Sequence, residues 1–332
     1  MTSKNNKNSP VSKVAESSIA DKYFSFLGTT YVTLEGTTRQ PAATKFINVL
    51  KKVHADGQSG SQRFDVSACL AGKDPAFKGR VWFWSDLHLF HTNILTYCQR
   101  AFDSIGNMNE TLLANCLATV TKDDILIFGG DISFGNLTAT NEWLRAIPAY
   151  KINVVGNHDV NRKVLLNLAV DEQAACLELD YCGQKVLVTH YPVKEDFLET
   201  DWVNLHGHIH NTPFPPGLGS GQRHINMSVE HLDYAPVSLD TLLSKPRELA
   251  KRVPARPASP WQIGRVVNLN KEAGFGYVQT DAGDSQYIFV VGHAIRRSEI
   301  KRLTVGEKVA FELLDHGHVR QLKPWRNVGL NA

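Results

Sequence analysis

The stretch that decides the fold is VWFWSDLHLFHTN, residues 81–93. Its first four residues, 81–84, are apolar and have the length of a short buried strand. Asp86 and His88 follow at once, and both are side chains that can bind a metal ion. In α/β proteins, ligands bind in the crevice beyond the carboxyl ends of the strands. The stretch therefore predicts a strand that ends in a functional site.

Four more segments repeat this arrangement of an apolar run followed by polar residues. They are GGD (129–131) after ILIF, GNHD (156–159) after INVV, His190 after VLVT, and GHIH (207–210) after VNL. Each segment alone is a weak signal, although GNHD and GHIH are moderately specific. Five of them in succession, each at the end of an apolar run, indicate one shared site.

The residues between these segments predict the architecture. Residues 108–120 and 164–170 have the apolar spacing of helices, and they alternate with strand-like runs. Closer to residue 245 the strand-like runs follow one another with little between them. This order predicts an α/β fold, with a sheet or a pair of sheets flanked by helices.

The residue types indicate metal chemistry. Aspartate and histidine ligands suit manganese, iron or zinc. The five cysteines are scattered and never spaced as CxxC, which argues against a structural zinc site and against a disulfide framework. The pattern fits two metal ions held about 3.5–4 Å apart by a bridging carboxylate.

The motif order DxH, GD, GNH(D/E), H, GHxH resembles the calcineurin-like metallophosphoesterase superfamily over residues 80–245, and most closely its compact bacterial and phage members. The resemblance implies a sandwich of two β-sheets flanked by helices. It implies hydrolysis of a phosphoester at two divalent metal ions, with manganese expected first and iron, zinc or nickel as alternatives. The implied ligands are Asp86, His88, Asp131 and His210 for one ion and Asp131, Asn157, His190 and His208 for the other, with Asp131 bridging.

The resemblance also implies catalytic roles. A hydroxide between the metals would attack phosphorus, and His158, oriented by Asp159, would protonate the leaving oxygen. His91 and Arg162 are candidate contacts to the substrate phosphate. Compact members continue DxH with GHxN, whereas Phe90 stands here in place of the glycine. Monoesters and diesters remain equally open.

Residues 261–326 have the short strands and Gly-rich turns of a five-stranded OB-type barrel. AGFGYV (273–278) and YIFV (287–290) resemble the RNA-binding motifs of cold-shock domains, although several of the usual aromatic residues are absent. The resemblance implies binding of single-stranded RNA or DNA, with Phe275, Tyr277 and Phe289 as stacking residues and Lys271 and Arg265 as phosphate contacts.

Composition sets the remaining expectations. The division is a disordered tail (1–20), an extension of unknown role (21–79), the region 80–245, a Pro-rich basic linker (246–260) and the region 261–326. Within the extension, residues 31–34 alternate like a strand, and the apolar residues of 43–53 have helical spacing. No apolar run nears the ~18 residues of a membrane span, and the polar N-terminus lacks a signal-peptide core, so we expect a cytoplasmic protein without a membrane partner. The oligomeric state stays open.

Charge and motifs leave three functional hypotheses. Residues 251–332 carry 13 basic and 7 acidic residues, which favours a nucleotide or nucleic-acid substrate presented by the C-terminal region. The missing aromatic residues favour a phosphatase for a small metabolite or a phosphoprotein, with a structural C-terminal barrel. The third hypothesis is a nucleic-acid-binding protein with a spent active site, and the intact motifs argue against it.

Overall fold

The computed structural model describes residues 18–31, 40–56, 62–65, 79–159, 167–181, 183–244, 261–271, 273–283, 285–295, 298–313 and 318–327. Within these ranges the chain is mixed α/β with three five-stranded sheets. None of the helices in the described ranges has the length and apolar character needed to cross a membrane. The predicted linker, most of the predicted tail and Arg162 lie outside the described residues.

The helices are α1 (Ile19–Phe26), α2 (Gln40–Asp56), α3 (Ile94–Tyr97), α4 (Ile105–Leu117), α5 (Leu137–Arg145), α6 (Leu239–Leu243) and α7 (Val291–Ala294). The strands are β1 (Gln62–Asp65), β2 (Val81–Trp84), β3 (Ile125–Phe128), β4 (Tyr150–Val154), β5 (Glu172–Ala174), β6 (Leu177–Tyr181), β7 (Gln184–Thr189), β8 (Trp202–His206), β9 (His224–Asn226), β10 (Val237–Ser238), β11 (Gln262–Asn270), β12 (Phe275–Thr280), β13 (Gln286–Val290), β14 (Lys308–Leu313) and β15 (Val319–Pro324).

The sheet that contains β2, which we call the first sheet, brings three of the motifs to one edge. Its order is β10-β2-β3-β4-β5, and β2 to β5 are parallel. The carboxyl ends of parallel strands meet at the same edge, so the residues after β2, β3 and β4 come together there. These residues are Asp86, Asp131 and Asn157.

The second sheet supplies the histidines. Its order is β1-β6-β7-β8-β9, and β7, β8 and β9 are parallel. His190 follows β7, and His208 and His210 follow β8. Side chains from both sheets enter one hydrophobic core, in which Trp84 stacks on Trp143 of α5. The two sets of motif residues therefore face a common crevice.

The extension before residue 79 packs on the second sheet. Tyr23, Phe26 and Phe46 of α1 and α2 form a core with Tyr191 and Val193. Helix α2 agrees with the predicted helical spacing. The strand predicted for 31–34 is wrong at its first residue, because Tyr31 ends a π-helical turn that continues α1. The other three residues of that prediction lie outside the described ranges.

The predicted helix 164–170 is not formed in the part of it that the structure describes. Residues 167–170 of the predicted helix 164–170 form no α-helix, and 164–166 lie outside the described ranges. Helix α4, in contrast, overlaps most of the predicted 108–120 but begins and ends three residues earlier. Its start is capped by the Ser104 hydroxyl, which accepts a hydrogen bond from the Asn107 N–H, and its Leu112 and Cys116 are buried.

The C-terminal sheet, β11 to β15, is antiparallel with the order β13-β12-β11-β14-β15. One set of its side chains, including Phe289 and Phe311, forms a core of its own. Another set, including Phe275 and Val290, joins the core of the first sheet. Helix α4 lies in this contact. Its Glu110 packs so closely on Gly292 that a Cβ at this glycine would lie only 1.9 Å from Glu110 Oε2. The C-terminal sheet is therefore packed against the rest of the chain.

Candidate metal centre

Asp131 lies at the middle of the predicted ligands. Its Oδ2 is 3.5 Å from His190 Nε2, 3.7 Å from His88 Nε2 and 4.0 Å from His158 Nε2. The side chain is almost fully buried, so these histidine nitrogens surround a carboxylate that water hardly reaches. Such an arrangement is what a bridging ligand requires.

The first ligand group is Asp86, His88 and His210, whose ligand atoms all lie within 4.8 Å of one another. His88 is 2% exposed, yet within the described residues neither of its ring nitrogens has a hydrogen-bond partner. Buried polar groups are nearly always hydrogen-bonded, and those that are not call for an explanation such as coordination of an ion. This observation fits a metal ligand.

The second group joins His190, Asn157 and His208 to Asp131. His190 Nδ1 lies 2.8 Å from the Gly129 carbonyl oxygen, to which it can only donate, so the Nε2 atom carries the lone pair. That Nε2 lies 2.8 Å from Asn157 Oδ1, and His208 Nδ1 lies 3.1 Å from the same oxygen. The lone pair of His190 Nε2 therefore faces the Asn157 oxygen, and two acceptor atoms at this distance fit neighbouring ligands of one cation.

The backbone at the ligand positions is unusual. Asp86, His88, Asp131, His208 and His210 all have positive φ, between 48° and 68°. Five of the nine such non-glycine residues in the described ranges are thus predicted ligands. Left-handed backbone at these residue types costs energy and collects at functional sites. The strain supports the assignment of the cluster as a site.

Burial and mutual charge shift the pKa values of the cluster. Burial raises the pKa of Asp131 to about 7, with the Asp159 and Asp86 carboxylates adding to it and His190 opposing it. Burial also raises the pKa of Asp86, but His210, His190 and His88 outweigh it and hold that pKa well below its usual range. Burial lowers the pKa of His158 to about 4, assisted by His190 and His208. Strongly perturbed groups in a cleft are typical of functional sites.

Asp159 does not orient the His158 ring, contrary to the role implied by the resemblance. Its carboxylate accepts hydrogen bonds from the backbone N–H groups of Asp131 at 3.1 Å, Ile132 at 3.1 Å and Gly156 at 2.9 Å. Three backbone donors satisfy this buried carboxylate. Asp159 therefore ties the loop after β3 to the loop after β4, which positions Asp131 and Asn157.

His91 lies beside the centre. Its ring stacks on Phe134 with centroids 4.0 Å apart and lies 5.5 Å from the His88 ring. The preceding Phe90 keeps a left-handed φ of 62°, the conformation that a glycine would adopt most easily, and its ring lies against Gly135. The loop thus retains its shape without the glycine.

Three residues missed by the motif analysis support the ligands. The Ser228 hydroxyl donates to Asp86 Oδ2 at 2.8 Å. His210 Nδ1 lies 3.1 Å from Glu230 Oε1, and Arg100 Nη2 lies 2.7 Å from the same oxygen. Arg100 also donates to the backbone carbonyl of Asp86 at 2.6 Å. Ser228 and Glu230 belong to the segment SVEHLDYAPVSL (228–239), which follows the GHIH motif closely in the chain, whereas no short pattern indicates Arg100.

A cleft of about 490 Å³ opens above the centre. Asp131, His158, His208 and His210 line it from the centre. Phe26 of α1 and the exposed Tyr97 at the end of α3 also line it, so the N-terminal extension contributes to the cleft. The volume lies in the range of small-molecule sites.

The aromatic residues predicted to stack on nucleic acid are largely buried. Phe289 is fully buried in the core of the C-terminal sheet, Phe275 is 4% exposed in the contact with the first sheet, and Tyr277 is half-buried beside it. Lys271 and Arg265 are exposed. The prediction is therefore wrong for the two phenylalanines, because their rings fill cores and present no free face to a base.

No family model matches the chain. The uncharacterised protein MJ1445 of Methanocaldococcus jannaschii is 32% identical over 168 residues, which are 49% of this chain and 89% of that protein. The gene 66 protein of Mycobacterium phage D29 is 29% identical over 160 residues, 40% of this chain and 78% of that protein.

Two further matches are shorter or weaker. The cold shock-like protein CspD of Bacillus cereus is 37% identical over 54 residues, 16% of this chain and 79% of that protein. The crystal structure of the protein of unknown function AQ665 from Aquifex aeolicus aligns with a TM-score of 0.41 and 28% identity, covering 48% of this chain and 96% of that one.

Proposed function

The chain belongs to the family of the archaeal protein MJ1445, and from the geometry of its centre we propose that it is a phosphoesterase dependent on two metal ions. The observation that carries the proposal is the buried Asp131, with imidazole nitrogens of His88 and His190 within 3.7 Å of one carboxylate oxygen. Burying these groups without a cation between them would be costly.

The donor set fits divalent manganese, iron, zinc or nickel. It combines carboxylate oxygen, imidazole nitrogen and one amide oxygen, and no sulfur among the proposed ligands. One ion would be held by Asp86, His88, Asp131 and His210, and the other by Asp131, Asn157, His190 and His208. A Cβ at Gly156 would lie 2.2 Å from Asp131 Oδ1, so only glycine leaves room for the bridging carboxylate.

The chemistry follows from this arrangement. When bound, the two ions would lower the pKa of a water molecule toward neutrality, which makes it a nucleophile for phosphorus. His158 lines the cleft and its side chain is 40% exposed, so it can contact a phosphoryl oxygen. Burial lowers the pKa of His158, and the negative charge of a bound phosphate would raise that pKa again. His158 can then donate a proton to the leaving oxygen.

The test is hydrolysis of bis(p-nitrophenyl) phosphate and of p-nitrophenyl phosphate by metal-stripped protein re-supplied with Mn²⁺. We expect turnover to return with the metal, at close to two bound ions per chain. The Asp131→Asn variant serves as the blank. Protein that binds no metal, or turnover that does not depend on it, would contradict the proposal.

The contact between the C-terminal sheet and α4 favours a small phosphoester as the substrate over a nucleic acid that this sheet presents to the cleft. Phe275 is buried in this contact, so the aromatic residues do not offer a path along which a nucleic-acid strand could reach the cleft. In this case the enzyme acts on a small phosphoester and the C-terminal sheet is structural. Equal loss of activity on an oligonucleotide and on a small diester in interface variants would support it.

A further inference from the structure

The cleft above the centre has an exposed aromatic side chain at its edge. Tyr97 is 69% exposed and lines the same cleft as Asp131 and His158. It ends the single turn α3, which is anchored by the buried Ile94. Tyr97 also contacts the ring of His91 edge-on, with centroids 6.1 Å apart. Tyr97 is thus a supported aromatic surface close to the centre.

The spacing places this surface one ring away from the proposed ligands. The His91 ring contacts both Tyr97 and His88, with its centroid 6.1 Å from that of Tyr97 and 5.5 Å from that of His88. Tyr97 therefore lies no more than two ring contacts from His88, a span that the sugar between a phosphate and a base can help to bridge. A base attached to that sugar could reach the tyrosine ring.

The rest of the lining determines what charge the substrate can carry. Phe26, Pro192, Pro215 and Leu218 give apolar contacts. Among the described residues that line the cleft there is no lysine or arginine. Dianionic and polyphosphate groups are usually recognised by such cations. The lining therefore fits a singly charged phosphodiester that carries a flat, uncharged group.

We propose that the cleft takes a nucleoside phosphodiester, with the phosphate at the centre and the base stacked on Tyr97. This inference rests on the proposed phosphoesterase activity. A water oxygen forms the new bond to phosphorus, the ester P–O bond breaks with its electron pair, and the leaving oxygen takes a proton. The products are a nucleoside monophosphate and an alcohol. Tyr97 determines specificity and takes no part in these bond changes.

The experiment compares two diesters with the same leaving group, on full-length protein loaded with Mn²⁺. They are thymidine 5′-(p-nitrophenyl phosphate) and methyl p-nitrophenyl phosphate. We expect the nucleoside diester to have a kcat/KM about tenfold higher, since one stacked base contributes this much. Tyr97→Ala should lower kcat/KM for the nucleoside diester about tenfold more than for the methyl diester, which removes the preference, and Tyr97→Phe should retain it.

The control and the contrary outcomes separate the two levels of the proposal. Tyr150→Ala changes a second exposed tyrosine that does not line the cleft, and it should leave the preference intact. Equal turnover of both diesters by wild type, or a preference that survives Tyr97→Ala, would overturn the inference and leave the phosphoesterase standing. Stronger activity on p-nitrophenyl phosphate than on both diesters would do the same. Absence of turnover of all three esters would overturn the phosphoesterase itself.

Discussion

Two regions of this molecule bury side chains that could bind a ligand, and they bury them for opposite reasons. At the candidate metal centre, Asp86, Asp131 and His190 are at most 2% exposed and lie close to one another. In the C-terminal sheet, Phe275 and Phe289 are equally buried, but against apolar neighbours. Burial of ionisable groups costs several kcal/mol per charge unless a partner compensates for it. Burial of a phenylalanine contributes about 1.5–3 kcal/mol to stability.

The difference separates evidence of function from evidence of folding. The polar cluster reduces stability on its own, so its presence calls for a ligand. The aromatic pair stabilises the fold by itself and needs no ligand to explain it. Four variants test this contrast.

The largest effect is expected for Asp131→Asn. Loss of the bridging charge should lower Mn²⁺-dependent turnover by about 10³-fold or more, since several kcal/mol of electrostatic stabilisation is lost. Bound metal, counted by mass spectrometry, should fall as well. Asp281→Asn, a partly exposed aspartate paired with Lys308, is the matched control and should change neither quantity. Turnover near the wild-type rate in Asp131→Asn would remove the bridging role.

Phe275→Ala tests the apolar side of the contrast. We expect the free energy of unfolding to fall by about 3–5 kcal/mol, the usual range for a buried phenylalanine replaced by alanine. Urea denaturation measures it, and Lys271→Ala, an exposed neighbour, should leave stability unchanged. Normal stability combined with weaker oligonucleotide binding would instead show that this ring is available to stack on bases.

A smaller effect is expected for Glu230→Gln. Glu230 pairs with His210 and Arg100, so loss of its charge should weaken the alignment and basicity of the His210 imidazole. Mn²⁺ affinity measured by titration calorimetry should fall by about tenfold, as for other residues that orient metal ligands. Glu195→Gln changes a glutamate that is paired with Ser220 and does not line the cleft, and its affinity should match wild type. Equal affinities in both variants would mean that Glu230 is purely structural.

The smallest effect is expected for Arg265→Ala. The side chain is exposed and makes a hydrogen bond to the Gly306 carbonyl at 3.3 Å, so stability should change by no more than about 0.5 kcal/mol. We also expect no change in the affinity for single-stranded oligonucleotides measured by fluorescence anisotropy. A loss of about one unit in the salt dependence of binding would reveal a phosphate contact and return the C-terminal sheet to a nucleic-acid role.

A feature could be predicted from the sequence when a short segment determines it, and not when it depends on segments that are far apart in the chain. Asp86, Asp131 and Asn157 each follow directly after a strand of one parallel sheet, so strand order alone brings them together. Arg100 and Glu230 are 130 positions apart and meet only through the packing of the whole domain, which no short motif encodes.

The errors have the same origin. The alternation at 31–34 resembled a strand, but Tyr31 continues the end of α1, where the packing of the extension favours a helical turn. The cold-shock resemblance singled out Phe275, Tyr277 and Phe289, which lie on β12 and β13. It could not reveal that Phe275 is covered by another part of the chain, because that depends on an apolar surface elsewhere in the fold.

Because the C-terminal sheet packs on the rest of the chain, the two parts do not need a covalent link to stay together. Asn270 hydrogen-bonds Glu142 of α5, and Phe275 and Val290 share a core with the first sheet. Non-covalent packing therefore holds the two parts together, independently of the peptide bonds between residues 244 and 261. Two polypeptides produced separately by splitting the gene in that interval should associate into one particle, which makes the protein suitable as a split reporter of co-expression.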